Sequence, residues 1–126
     1  MGTDKNQNLK DRTKLFGLRA IRAARALPRN TEGKVLGTQL IRAATSVGAN
    51  YRAACKSRSP AEFVSKIGVV EEEADECCFW LEMITAAELM PPARLKSLHQ
   101  EASELTAIMG ASRKTAQTGL RSRKKS

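Results

Sequence analysis

Apolar residues recur along this chain at steps of three and four in four separate runs, each as wide as one helical face. The first run is Phe16, Ala20, Ala23, Ala24 and Leu27, in a helix expected from about Asp11 to Leu27, where Pro28 ends it. The second is Leu36, Leu40, Ala44, Val47 and Tyr51. Its helix opens at Asn30 or Thr31, whose side-chain oxygen can cap free amides, and runs to about Cys55. Ser59 suits a cap and Pro60 a first helical position. The third helix then carries Phe63, Ile67, Val70, Ala74, Cys77, Leu81 and Ile84 in the alternation of a bundle or coiled-coil seam, to about Leu89. Pro91 and Pro92 break it. A fourth helix from about Pro92 carries Leu95, Leu98, Ala102, Leu105 and Met109 and ends near Thr115. The expectation is an all-α fold, an up-down-up-down four-helix bundle over residues 11–116. A polar head (1–10) and a basic tail (117–126) are expected to be disordered.

Other stripes lie beside the core positions. Leu15, Leu18 and Ile21 fall outside the main face of the first helix, which fits subunit contact or partial exposure. Arg12, Arg19, Arg22, Arg25 and Arg29 run along its flank. On the second helix, Gly37, Ile41, Ala44, Gly48 and Cys55 make a mostly small face. Each glycine costs about 1 kcal/mol of helix stability relative to Ala, so close approach of another helix is the expected return. Gln39, Arg42, Ser46 and Asn50 make a polar stripe, read either as a buried hydrogen-bond network or as a ligand site, because unpaired buried polar groups cost about 1–3 kcal/mol each. Val69, Trp80 and Met83 widen the apolar surface of the third helix, which is expected to be covered on two sides.

At 126 residues the chain has the size of one domain. With only 4% aromatic residues, its core must come from aliphatic side chains and alanine, which favours closely packed helices. Charge is segregated within the net +9. Residues 1–60 hold 13 Lys/Arg against three acids, residues 61–90 hold only Lys66 against eight acids, and residues 91–126 hold eight against two. Such a division serves attraction between helices or subunits, or presents a positive face to phosphate.

Three cysteines, Cys55, Cys77 and Cys78, and no apolar leader make a disulfide framework improbable, so a cytoplasmic protein is expected. No run approaches the ~18 apolar residues of a membrane span, and Asn6 stands where a myristoylation signal wants Ser or Thr. No membrane contact is expected.

Catalytic constellations fail on residue types. A di-iron bundle needs two Glu-x-x-His elements, but there is one histidine, His99, and Lys96 precedes it at that spacing. Glu71, Glu72, Glu73, Asp75 and Glu76 spread around more than half a helix turn and read as surface acidity, with Glu73 and Glu76 able to pair across the bundle. Cys77 lies in the seam with Cys78 rotated about 100° from it, the placement of core filler. No phosphate loop, nucleotide fingerprint or Ser-His-Asp order is present. The expectation is a non-enzymatic protein with no cofactor and no metal.

The segment Thr45, Ser46, Val47, Gly48, Ala49, Asn50, Tyr51 and Arg52, followed by the acidic EEEADE…WLE run, resembles the family of four-helix proteins encoded in intervening sequences of 23S ribosomal RNA genes, over about Phe16 to Ser112. The match is to its T-S-V-G-A-N-Y-R subgroup; Gly48 stands where the commoner S-I-P-x-N-I-A-E-G version has Pro, and the terminal Glu and Gly are replaced. The resemblance implies ring-forming homo-oligomers, five-membered where the arrangement is known. The intervening-sequence origin, with similarity to the basic accessory protein of diversity-generating retroelements, implies a link to RNA.

Two expectations of function follow. In one, RNA or another nucleic acid is held by phosphate contacts from Arg12, Arg19, Arg22, Arg25, Arg29, Arg52, Lys56 and Arg58 and by the tail Arg121, Arg123, Lys124 and Lys125. In the other, the chain is an oligomeric scaffold for protein partners, its subunits meeting through Leu15, Leu18, Ile21 and the small face of the second helix. Within the motif, Asn50 is the expected hydrogen-bonding anchor, Arg52 a phosphate contact and Tyr51 a packing residue, alongside Gln39, Arg42 and Ser46; conservation of helix packing alone is the other reading.

Overall fold

The computed structural model describes residues 2–125, with side chains over residues 7–123. Across these residues the chain forms α1 (Gly2–Arg25), α2 (Thr31–Ala54), α3 (Pro60–Ala86) and α4 (Pro92–Lys125), and no strand. Short connections force consecutive helices to run antiparallel. Pairings such as Arg42 with Glu73, and Glu71 with Arg113, carry that direction across α2–α3 and α3–α4. Each helix packs on its chain neighbours, and α1 meets α4 along a narrower contact that closes the up-down-up-down bundle.

The ends of the helices follow local chemistry. Asn30 is the extended residue before α2, and its side-chain oxygen accepts from the Gly33 amide at 2.8 Å. Ser59 caps α3 in the same way toward Glu62, with Pro60 in the first turn. α3 stops at Ala86, short of the expected Leu89, because Glu88 adopts a left-handed backbone (φ 58°). The Glu88 and Leu89 amides then donate back to the Thr85 and Ile84 carbonyls, a Schellman closure with Glu in the usual glycine place.

The core contains the expected stripes. Phe16, Leu40, Val47, Ile67, Val70, Leu81, Ile84, Leu105 and Met109 are all essentially inaccessible. Tyr51, Ala74, Cys77, Leu95, Leu98 and Ala102 are also buried, whereas Phe63, Ala23 and Ala24 only flank the core. Thr13 is the one buried polar side chain among the described residues; its hydroxyl donates to the Leu9 carbonyl of its own helix at 2.7 Å, so it brings no unsatisfied donor inside.

The helices run past the expected bundle boundaries at 11 and 116: α1 begins at Gly2 and α4 continues to Lys125. Neither extension contains a proline, and side-chain bonds one turn apart, Gln7 to Asp11 and Arg113 to Gln117, carry each helix past its packed part. α3 is covered on two sides, by α2 and α4, as expected, but not through all the residues expected to do so. Val69 and Met83 are exposed together with Phe79, because they fall on the outer side, between the flanks facing α2 and α4.

Candidate nucleic-acid interface

The glycines of α1 and α2 determine how closely these helices meet. A methyl group on Gly48 would stand 3.5 Å from the Thr13 backbone, and one on Gly17 would stand 3.6 Å from the Ala44 carbonyl oxygen. Both are ordinary contact distances, so the seam requires small residues there but not glycine itself. Gly33 is different. A methyl group there would lie 2.0 Å from the Pro28 carbonyl oxygen, so only glycine fits beneath the α1–α2 turn. The small face of α2 is thus largely used within the chain, against α1, at Gly37 and Gly48.

Carboxylates of α3 and α4 are mostly held by cations of the same molecule. Arg12 donates twice to Glu101, at 2.7 and 2.8 Å, and once to Glu104 at 3.1 Å. This fork across α1 and α4 raises the Arg12 pKa, chiefly through its hydrogen bonds to Glu101. Arg42 reaches Glu76, Glu73 and, within α2, Gln39; Glu76 also accepts from the Trp80 indole at 2.8 Å. Arg113 meets Glu71 at 2.6 Å, Lys66 meets Glu62 at 2.9 Å, and His99 lies 2.8 Å from Glu82.

Other cations are left over. Among the described residues, Lys10, Lys14, Arg22, Arg25, Arg29, Lys34, Arg52, Lys56 and Arg58 form no ion pair, nor do Arg94, Lys96, Lys114 and Arg121 of α4, and all but the half-buried Lys10 are exposed. Arg19 donates to the Ser97 hydroxyl at 2.9 Å without meeting a carboxylate. The sequence placed Arg12 with the free arginines, and the structure removes it. Its signal was position: one turn before Phe16, it lies at the edge of the buried stripe, toward α4. Side chains of Lys124 and Lys125, named above as phosphate contacts, lie outside the described residues.

The polar stripe of α2 divides. Gln39 and Arg42 join the ion-pair network with α3, the structural alternative raised above. Asn50 is half-buried and donates to the Ser46 carbonyl one turn earlier at 2.9 Å, a bond within α2. Tyr51 is buried, and that burial pushes its hydroxyl pKa well above the ordinary value. Arg52 is exposed.

Between α1 and α2, on the outside of the close seam, lies an open groove of about 570 Å³, which helical spacing alone could not locate. Lys10, Lys14 and Arg52 line it, with Leu18, Ile21 and Thr45. Thus Leu18 and Ile21, expected at a subunit contact, border a groove, and Leu15 and Leu18 are 51% and 42% exposed.

Cys55, Cys77 and Cys78 are free thiols. Burial pushes Cys77 up to about 12 and raises Cys78, the latter 3.6 Å from the Ser103 hydroxyl. Neither has the thiolate character of a nucleophile. No cluster of three or more His, Cys, Asp or Glu is placed to hold a metal ion, and no helix is long and apolar enough to cross a membrane, among the described residues.

These features define an all-α four-helix bundle with a cationic α1–α2 side. The chain belongs to the family of 23S rRNA-intervening sequence proteins, which it matches over residues 5–111. It is also similar to a crystal structure of a protein with unknown function from the S23 ribosomal protein family of Bacteroides thetaiotaomicron VPI-5482. The two are 27% identical with a TM-score of 0.80, the match covering 87% of this chain and 98% of that one. A search of curated proteins finds no match.

Proposed function

We propose that this protein binds RNA, without catalysis, through the cations of its α1–α2 side. The observation that supports the reading is the division of charge: Arg12, Arg42, Lys66 and Arg113 are occupied by carboxylates, while, besides Arg19, nine cations on α1, α2 and the turns after them, Lys34 included, form no ion pair among the described residues. A cationic surface with few aromatics reads phosphate and shape rather than stacked bases. The family's description, which names 23S rRNA, points in the same direction. The test is a titration of the purified chain with RNA over a series of salt concentrations. Tight binding whose logarithm falls steeply and linearly with log salt is expected; affinity independent of salt overturns the reading.

A second reading, self-association as a scaffold in a cytoplasmic ring-like assembly, rests on a different observation. The exposed large apolar residues fall mainly on two faces of opposite charge: Leu15 and Leu18 beside Arg22 and Arg25 on α1, and Val69, Phe79 and Met83 beside Glu72 and Asp75 on α3. α1 and α3 are diagonal in the bundle, so pairing one with the other between copies is head-to-tail and closes into a ring, five-membered or otherwise, or extends as a filament. Sedimentation velocity at low and high salt tests it; a concentration-independent monomer, or an oligomer unchanged by Phe79→Glu, sinks it.

A further inference from the structure

The unpaired cations are not equivalent. Arg22, Arg25 and Arg29 stand on convex surface, whereas Lys10, Lys14 and Arg52 converge on the groove between α1 and α2. Gly17 and Gly48 also line it, where the two helix backbones meet closely. Toward Arg25 along α1, the same groove is lined by Leu18 and Ile21. One end is therefore cationic and the other apolar, and the volume lies within the roughly 300–1,000 Å³ range of small-ligand sites. Asp11 also borders the groove; its carboxylate accepts from Gln7 at 3.2 Å and leaves the balance of the rim positive.

Resting on the RNA-binding reading, we propose that this groove takes an unpaired nucleotide of single-stranded RNA. Its phosphates lie among Lys10, Lys14 and Arg52, and its base lies against Leu18 and Ile21. Thr45, which lines the groove, donates its hydroxyl to the Ile41 carbonyl at 2.7 Å and so can still accept a hydrogen bond. A duplex presents its bases stacked and its backbone on a convex cylinder, so it reaches the cationic rim but not the apolar end.

The experiment is fluorescence anisotropy with the full chain, a labelled uridine dodecamer and an RNA duplex of equal length, across a salt series. Three variants are used: Lys10→Ala/Lys14→Ala/Arg52→Ala for the rim, Leu18→Ser for the apolar end, and Arg22→Ala/Arg25→Ala/Arg29→Ala for convex surface. All these positions except half-buried Lys10 are exposed, and circular dichroism verifies that each variant remains helical.

The rim variant is expected to weaken single-strand binding at least ten-fold and to lower the salt slope by about 2, at roughly 0.7 per single-strand phosphate contact. Leu18→Ser is expected to weaken single-strand binding several-fold without changing the slope, and to leave duplex binding unaltered. The convex-surface variant should lose less than the rim variant. If it loses more, or if duplex binds as tightly as single strand, the groove assignment is overturned while RNA binding stands. If the unaltered chain binds neither RNA, both fall.

Discussion

The α1–α2 half of the bundle and the α3–α4 half solve the same packing problem with different means. In the second, large aliphatic side chains such as Ile67, Leu81, Leu105 and Met109 fill the space, and most carboxylates are held by cations, as with Glu71 and Arg113 or Glu82 and His99, although Arg94, Lys96, Lys114 and Arg121 of α4 form no ion pair. In the first, Gly17, Ala20, Ala44 and Gly48 bring backbones together; Arg12 and Arg42 reach carboxylates of the other half, while Lys10, Lys14, Arg22, Arg25 and Arg52 meet none. A glycine seam cannot place acids opposite bases across a wide flank, because there is little flank. The difference therefore leaves most cations of the α1–α2 half available to another molecule, while most carboxylates of the α3–α4 half are spent on the fold.

The sharpest way to break this comparison is to enlarge one glycine in each half. Gly33→Ala drives a methyl group into the Pro28 carbonyl oxygen, so the α1–α2 turn must move. A loss of about 3 kcal/mol or more is expected in urea unfolding. Gly68→Ala, on α3, meets only the Arg113 Cδ at 3.6 Å and should stabilise by about 0.5–1 kcal/mol, the ordinary helix gain of Ala over Gly. If both variants behave alike, the halves do not differ in the way described.

Thiol chemistry sharpens the same contrast. Cys77 and Cys78 sit in the densely packed half, whereas Cys55 is half-buried at the end of α2. Ellman titration of the native chain should show one thiol reacting first and two only on unfolding. Because the folded Cys77 pKa is raised, its contribution to stability is complete below the unfolded thiol value and is lost as pH rises through the folded one. A decline in stability between about pH 9 and 12 is therefore expected, with part of it absent in Cys77→Ala. An identical pH profile for the variant contradicts the assigned burial effect.

Ion pairs give a smaller but more direct comparison. A double-mutant cycle on Arg12 and Glu101 should return a coupling of about 0.5–1 kcal/mol at low salt, since the pair is only partly shielded, and less at high salt. Arg22→Ala should change stability by less than about 0.5 kcal/mol, as expected for a surface site without a partner. Equal costs at the two positions would mean that Arg22 has a carboxylate to hold, and the cationic side would shrink.

Much of this architecture was legible because burial follows helical spacing. Leu36, Leu40, Val47 and Tyr51 were identifiable from period alone, as were the caps at Asn30 and Ser59, whose chemistry is local. What escaped the sequence depended on how helices sit side by side. Arg12 and Arg22 look alike in a flanking stripe, yet one faces α4 and the other faces solvent. Phe79, an aromatic residue inside an apolar-rich helix, gave no sign that it would point outward at 51% exposure. The groove was invisible for the same reason: Lys10 and Lys14 matter only beside Arg52, which lies on another helix.

Another small effect concerns the end of α3, where the packed half ends in a backbone that its residue disfavours. Glu88 holds φ 58° to complete the hydrogen bonds that terminate the helix, a position where glycine avoids the steric cost of a Cβ. Glu88 is exposed and forms no ion pair among the described residues, so its side chain offers little to offset that cost. Glu88→Gly should thus stabilise by about 0.5–1 kcal/mol, net of the entropy that glycine adds to the unfolded chain. Because the position lies at the end of α3 and not on the α1–α2 side, the variant should leave RNA affinity and its salt slope unchanged. A change in either would tie the α3–α4 turn to the cationic side and remove the division between the two halves.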